Sequence, residues 1–106
     1  MDQHVVARAR RGDSDAFEAL VVGHHDRLFR VAHGILRDPH LAEDATQQAF
    51  LDVWQEIRRL RDPAKFEAWS YRLLVRVCYR EAKRKPDWTP ESDLSPAEVP
   101  LAADQY

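Results

Sequence analysis

Asp38-Pro39-His40-Leu41-Ala42-Glu43-Asp44-Ala45-Thr46-Gln47-Gln48-Ala49-Phe50-Leu51-Asp52-Val53-Trp54-Gln55-Glu56-Ile57-Arg58-Arg59-Leu60-Arg61-Asp62-Pro63 is the stretch on which the fold turns. It opens and closes on the same dipeptide, Asp-Pro. An aspartate at the N-cap accepts hydrogen bonds from first-turn amides, and proline fits the first helical position because its missing N–H would have no intrahelical partner there. Proline also drives the residue before it out of the helical region, so each Asp-Pro ends the preceding helix as it starts the next. Between the two signals, Ala42, Ala45, Ala49, Val53, Ile57 and Leu60 recur at helical steps and form one narrow apolar stripe. The spacing predicts a helix over 39–60.

Working outward, Asp62-Pro63 starts a helix over 63–85, with Phe66, Trp69, Leu73, Leu74 and Val77 on its core face. On the other side, Asp13-Ser14-Asp15 with Glu18 has the arrangement of a capping box. It begins a helix over 15–36 that buries Phe17, Leu20, Val21, Leu28, Val31, Ala32 and Ile35. Gly34 weakens the last turn of that helix. A short helix near 3–11 precedes it. No strand-like alternation and no repeat occurs. The expected fold is all-α: a compact antiparallel bundle of three main helices plus a short N-terminal helix. A core of this size is marginal by itself and gains from a partner.

The 106 residues are 44% hydrophobic and 32% charged, which suits one small globular domain. One cysteine, Cys78, excludes an internal disulfide framework and fits a reducing compartment. No apolar run approaches the ~20 residues of a membrane span. The first residues lack the basic-plus-apolar pattern of a signal peptide.

The formal net charge of −2 hides a division. Residues 1–61 carry nine arginines against ten carboxylates, leaving −1. Residues 62–85 carry seven cations against three carboxylates, leaving +4. Residues 86–106 carry five carboxylates, no cation and four of the six prolines, leaving −5. The expected organisation is therefore a folded unit over 1–85 and an acidic, proline-rich linker over 86–106 that does not order by itself.

Two surface patterns exceed what a core needs. Asp44, Gln47, Gln48, Leu51, Trp54 and Gln55 form a second stripe on the third helix. A tryptophan anchor rimmed by hydrogen-bonding side chains is the usual pattern of a protein-docking face. The same spacing also fits a Trp54 that is simply core, with solvated glutamines. On the fourth helix, Arg72, Arg76, Arg80 and Lys83 or Arg84 fall four residues apart, about 6 Å along the axis. An anionic partner such as a phosphate backbone would relieve their mutual repulsion. A solvated basic face, or pairing with Glu67 and Glu81, accounts for the line equally simply. Arg61, Lys65, Phe66 and Trp69 cluster around the turn at the start of that helix. Cations beside aromatic rings suit the stacking of an unpaired base, whereas core packing is the alternative for the two rings.

Enzyme signatures are missing. There is no glycine-rich phosphate loop, no nucleophile motif, and no pair of histidines four residues apart. Neither a catalytic role nor a cofactor or metal is expected.

The blocks Asp15-Ala16-Phe17-Glu18-Ala19-Leu20, Asp26-Arg27-Leu28, Ala42 to Trp54, and Phe66-Glu67-Ala68-Trp69-Ser70-Tyr71-Arg72-Leu73 resemble the second conserved domain (region 2) of bacterial sigma factors, in the small extracytoplasmic-function branch. The resemblance covers about residues 10–85 in four ordered blocks. It implies promoter recognition in the bacterial cytoplasm, as part of an RNA polymerase holoenzyme. In that family the Glu-Asp-x-x-Gln helix docks on the clamp coiled coil of the beta-prime subunit, which here points to Asp44, Gln47, Gln48, Leu51 and Trp54. The following turn and helix hold the melted non-template strand of the −10 element, which points to Arg61, Lys65, Phe66, Trp69, Arg72, Arg76, Arg80 and Lys83.

Two departures stand out. Gln47-Gln48 replaces the common Gln-Glu, and Arg76 replaces a common asparagine, which shifts that contact toward phosphate or guanine. Family members usually carry a second, helix-turn-helix domain for the −35 element, and residues 86–106 look like the linker to it. A rival expectation is a helical module that is sequestered by an anti-sigma factor and has no DNA binding of its own.

Overall fold

The computed structural model describes residues 3–84. The expected linker over 86–106 lies outside the described residues. Four helices follow in order: α1 Gln3–Arg10, α2 Ser14–Leu36, α3 Pro39–Glu56 and α4 Phe66–Ala82. All four belong to one helical bundle, and no strand occurs among the described residues.

Acidic caps open α2 and α3, but the cap of α2 is Asp13 rather than the Asp15 of the expected capping box, so the helix begins at Ser14. The Asp13 carboxylate accepts from the Ala16 amide at 3.1 Å. Asp38 accepts from the amides of His40 and Leu41 at 2.8 and 3.1 Å. Between α1 and α2 the chain reverses at Gly12, whose φ of 92° is strained for any residue with a Cβ. α2 ends on Arg37, held left-handed at φ 58°, with its amide bonded to the His33 carbonyl at 2.8 Å. Gly34, by contrast, sits inside the helix with open space where a Cβ would be.

The connection between α3 and α4 departs from the sequence expectation. α3 stops at Glu56 rather than at 60, and Ile57–Arg59 tighten into a 3-10 turn. Leu60 is extended (φ −73°, ψ 112°) and fully buried. Its side chain enters the core from a position that a continuing helix would not supply. Pro63–Lys65 form a second 3-10 turn, capped by Asp62, and α4 starts only at Phe66 and ends at Ala82. The periodic stripe reached Leu60 because a helix and a 3-10 turn place a residue three positions on at nearly the same face.

The core has two parts. At one end, Leu28, Ala32, Ile35 and Leu36 of α2 meet Ala42, Ala45, Ala49 and Phe50 of α3 and Leu74, Val75, Val77, Cys78 and Ala82 of α4. The alanines of α3 let its neighbours approach closely. At the other end, Val6 and Ala9 of α1 close over Ala16, Leu20, Val53, Ile57, Leu60, Phe66, Trp69 and Leu73. This second cluster fixes the α3–α4 connection, because Ile57, Leu60 and Phe66 are all anchored in it.

Candidate functional site

Two surfaces carry the residues singled out from the sequence. The first lies on α3. Leu51 is 56% and Trp54 41% exposed, so the reading of Trp54 as a simple core residue does not hold. Its ring rests on half-buried Phe17 of α2, centroid to centroid 4.8 Å, and turns its remaining area outward. Asp44, Gln47 and Gln55 are exposed beside it, and Gln48 is half-buried.

The amides are engaged rather than merely solvated. Gln47 Nε2 donates to Glu43 Oε1 at 3.3 Å, and Gln48 Nε2 donates to Asp52 Oδ1 at 2.9 Å. Glu43 also meets His25 Nε2 of α2 at 3.1 Å, while His25 Nδ1 meets Asp26 at 3.2 Å. Asp26 first, then Glu43, raises the pKa of His25, and the His25 contact holds the Glu43 carboxyl below its usual range. Phe17, His25, Glu43 and Asp52 were absent from the sequence-derived set. Their partners come from another helix or a neighbouring turn, which no local motif encodes.

The second surface comprises the α3–α4 connection and α4. Arg58, Arg59, Arg61 and Lys65 are all exposed there, and no ion pair involves them among the described residues. Arg58 and Arg59 fall inside the helix expected over 39–60 and carry no signal of their own in the sequence. Phe66 and Trp69 are the opposite case. They are 2% and 0% exposed, so both rings belong to the floor beneath the connection and offer no face to a base. Ring contacts bind that floor together: His24 meets Phe66 edge-on at 5.1 Å, and Phe66 meets Trp69 at 6.0 Å. His24 Nδ1–H donates to the Leu20 carbonyl at 2.8 Å, and burial pushes its pKa down.

The arginine line is divided. Arg72 is buried and lines a shallow depression with Arg27, Ala64, Lys65, Glu67, Ala68 and Tyr71. The half-exposed aromatic side chain in this depression is Tyr71, which sequence reasoning passed over. Arg27 Nη1 lies 3.4 Å from Glu67 Oε2, and its charge lowers the Glu67 pKa. Arg76 and Arg80 are exposed and line a different groove, shared with Asp52 and Glu56 of α3. Arg80 Nη2 stands 3.6 Å from Asp52 Oδ2. Lys83 is exposed, and Arg84 lies 3.8 Å from Glu81.

Among the described residues no group of three His, Cys, Asp or Glu side chains could hold a metal ion. No described helix is long and apolar enough to cross a membrane. Cys78 is buried, and desolvation pushes its thiol up to about 12, which leaves it inert as a nucleophile at neutral pH.

The chain is 29% identical over 94 residues to the ECF RNA polymerase sigma factor SigW of Bacillus subtilis, covering 88% of this chain and 50% of that protein. It is 27% identical over 94 residues to the RNA polymerase sigma-H factor of Pseudomonas aeruginosa, covering 89% and 49%. It is 33% identical over 98 residues to the ECF RNA polymerase sigma factor SigM of Mycobacterium tuberculosis, covering 90% and 50%. The chain thus spans about half the length of these relatives. No solved structure gives a significant match. The model of the sigma-70 region 2 family matches residues 20–88, a span that holds α3, the connection and α4 with both surfaces, and the chain belongs to that family.

Proposed function

We propose that this chain is the promoter-opening domain of a bacterial sigma factor, acting in the cytoplasm by binding rather than catalysis. The observation that carries the reading is the separation of two different surfaces on one bundle. An apolar and amide strip (Asp44, Gln47, Gln48, Leu51, Trp54) lies on α3, and exposed cations lie on the α3–α4 connection and along α4.

The α3 strip docks on the clamp coiled coil of the polymerase beta-prime subunit. Trp54 supplies the anchor, with its ring already braced by Phe17. The cations take the DNA. Arg58, Arg59, Arg61 and Lys65 contact the backbone at the connection, and Arg76, Arg80 and Lys83 continue along α4. Phosphate contacts set position without reading sequence. The depression beside Tyr71 receives an unpaired base of the −10 non-template strand, with Arg27, Lys65 and Arg72 around it. Phe66 and Trp69 act as positioning residues that hold the connection in place from beneath. A domain that binds the single strand better than the duplex shifts the melting equilibrium toward the open state, so no catalyst is needed.

The test measures binding to polymerase core and to single-stranded DNA in parallel. Arg61→Ala with Arg76→Ala is expected to weaken DNA binding and spare core binding, and Trp54→Ala to do the reverse. Equal binding to single strand and duplex at moderate salt would sink strand capture. Absence of DNA binding by the unaltered chain, together with core binding that depends on Trp54, would favour a purely protein-binding module of the kind an anti-sigma factor holds.

A further inference from the structure

The groove between α3 and α4 holds two carboxylates, Asp52 and Glu56, on the same surface as two arginines of the cation line, Arg76 and Arg80. The Asp52 carboxylate is bound at both oxygens. Oδ1 accepts from Gln48 Nε2 at 2.9 Å, and Oδ2 faces Arg80 Nη2 at 3.6 Å. The two partners differ in freedom. The Asp52 side chain is 17% exposed and tethered by Gln48, whereas Arg80 is 57% exposed on a long flexible stem. Asp52 is therefore the fixed member of the pair, and Arg80 is the one that can leave.

We propose that Asp52 is an internal anion that keeps Arg80 occupied, so that a nucleic-acid phosphate reaches Arg80 only by displacing a carboxylate. Gln48 is its positioning residue. This inference rests on the reading of α4 as a surface for single-stranded DNA. It changes what the helical spacing implied. The four-residue line is not four equivalent phosphate contacts: Arg76 is open to a phosphate, while Arg80 becomes a contact by exchange. The affinity of the line for any polyanion is then set by a residue on α3 that never touches the ligand.

The test is fluorescence anisotropy of the full 106-residue chain with a labelled, short, random-sequence single-stranded DNA. Exposed ion pairs are weak, so Asp52→Asn is expected to tighten binding by about two- to five-fold. Releasing one more cation should steepen the dependence of log K on log salt by about 0.7. Gln48→Ala should act in the same direction with a smaller gain. In an Arg80→Ala background, Asp52→Asn should be silent.

No gain from Asp52→Asn in a folded chain overturns the proposal. So does an equal gain in the Arg80→Ala background, since that would mean simple removal of a repelling charge. Asp52→Ser serves as a second variant, and thermal melts confirm that each variant folds. A chain that binds no single strand, or binds it undiminished after Arg76→Ala, overturns the strand-binding reading and this inference with it. Loss of binding on Arg76→Ala, with Asp52→Asn unmoved, overturns this inference alone.

Discussion

The cations of the α3–α4 connection and the cations of α4 look alike in sequence and differ in the folded chain. Arg58, Arg59, Arg61 and Lys65 are exposed on a connection anchored from below by Ile57, Leu60 and Phe66. Along this connection Ile57, Leu60 and Phe66 are buried, and the cations between them are left open to solvent. Along α4 the same residue type meets three different situations. Arg72 is buried, Arg76 is exposed, and Arg80 faces a carboxylate. Regular spacing on a helix thus predicts a line of charge but not its availability, which depends on what the neighbouring helix presents.

The strongest way to break this comparison is to remove the floor. Trp69→Ala should cost about 3–5 kcal/mol of stability, the usual range for emptying a buried aromatic site. Urea or thermal unfolding checks this. A loss below ~1 kcal/mol would show that the connection does not depend on its aromatic anchor.

Next in size is the contrast in DNA binding. Changing Arg58, Arg59 and Arg61 together to alanine should lower the salt slope for single-stranded DNA by about 2, since each phosphate contact contributes ~0.7. Arg80→Ala alone should lower it by less than one contact, because Arg80 is already held by Asp52. Equal effects per residue would erase the distinction between the two regions.

A smaller effect sharpens the comparison through pH. His24 sits under Phe66 with a lowered pKa, while His25 faces Asp26 and Glu43 with a raised one. For His24 the unfolded chain takes up the proton first, so stability is complete above the ordinary histidine value of about 6.5 and falls as pH drops below it. For His25 the folded chain holds the proton more tightly, so its contribution is complete below about 6.5 and is lost as pH rises through its raised value. Melting temperature should therefore fall away on both sides of that region. His24→Phe should flatten the acid side alone, and His25→Gln the alkaline side alone. A profile that keeps its acid limb after His24→Phe would remove His24 from the floor of the connection.

The smallest expected effect concerns Cys78. With its thiol pushed up to about 12 by burial, it should resist alkylation at mildly alkaline pH in the folded chain and react on unfolding. Rapid native labelling would mean that the alanine-lined end of the core opens more readily than the aromatic end.

Much of the fold was legible because its signals are local. Asp13, Asp38 and Asp62 each accept amide hydrogen bonds within three residues, so the starts of α2 and α3 could be read in sequence order to within a residue, whereas Asp62 caps the 3-10 turn that precedes α4. The α3 stripe was equally plain, since all its members are buried, Ala42, Ala45 and Ala49 in one part of the core and Val53, Ile57 and Leu60 in the other. The end of α3 was not legible, because Leu60 leaves the helical path and is buried in a cluster whose other members come from α1, α2, α3 and α4. The α3 surface strip was half legible: the exposure of Leu51 and Trp54 follows from the second stripe, but Phe17, on which the Trp54 ring rests, lies on α2.

By itself, the sequence determined an all-α chain and its order of helices. Capping and periodicity act within a few residues, and they were enough for that. Only the tertiary structure decided that Phe66 and Trp69 are floor rather than exposed rings, that Tyr71 is half-exposed in the depression beside Arg72, and that Arg80 faces Asp52. Burial and ion pairing are properties of what lies opposite, and the residues opposite come from helices remote in the chain.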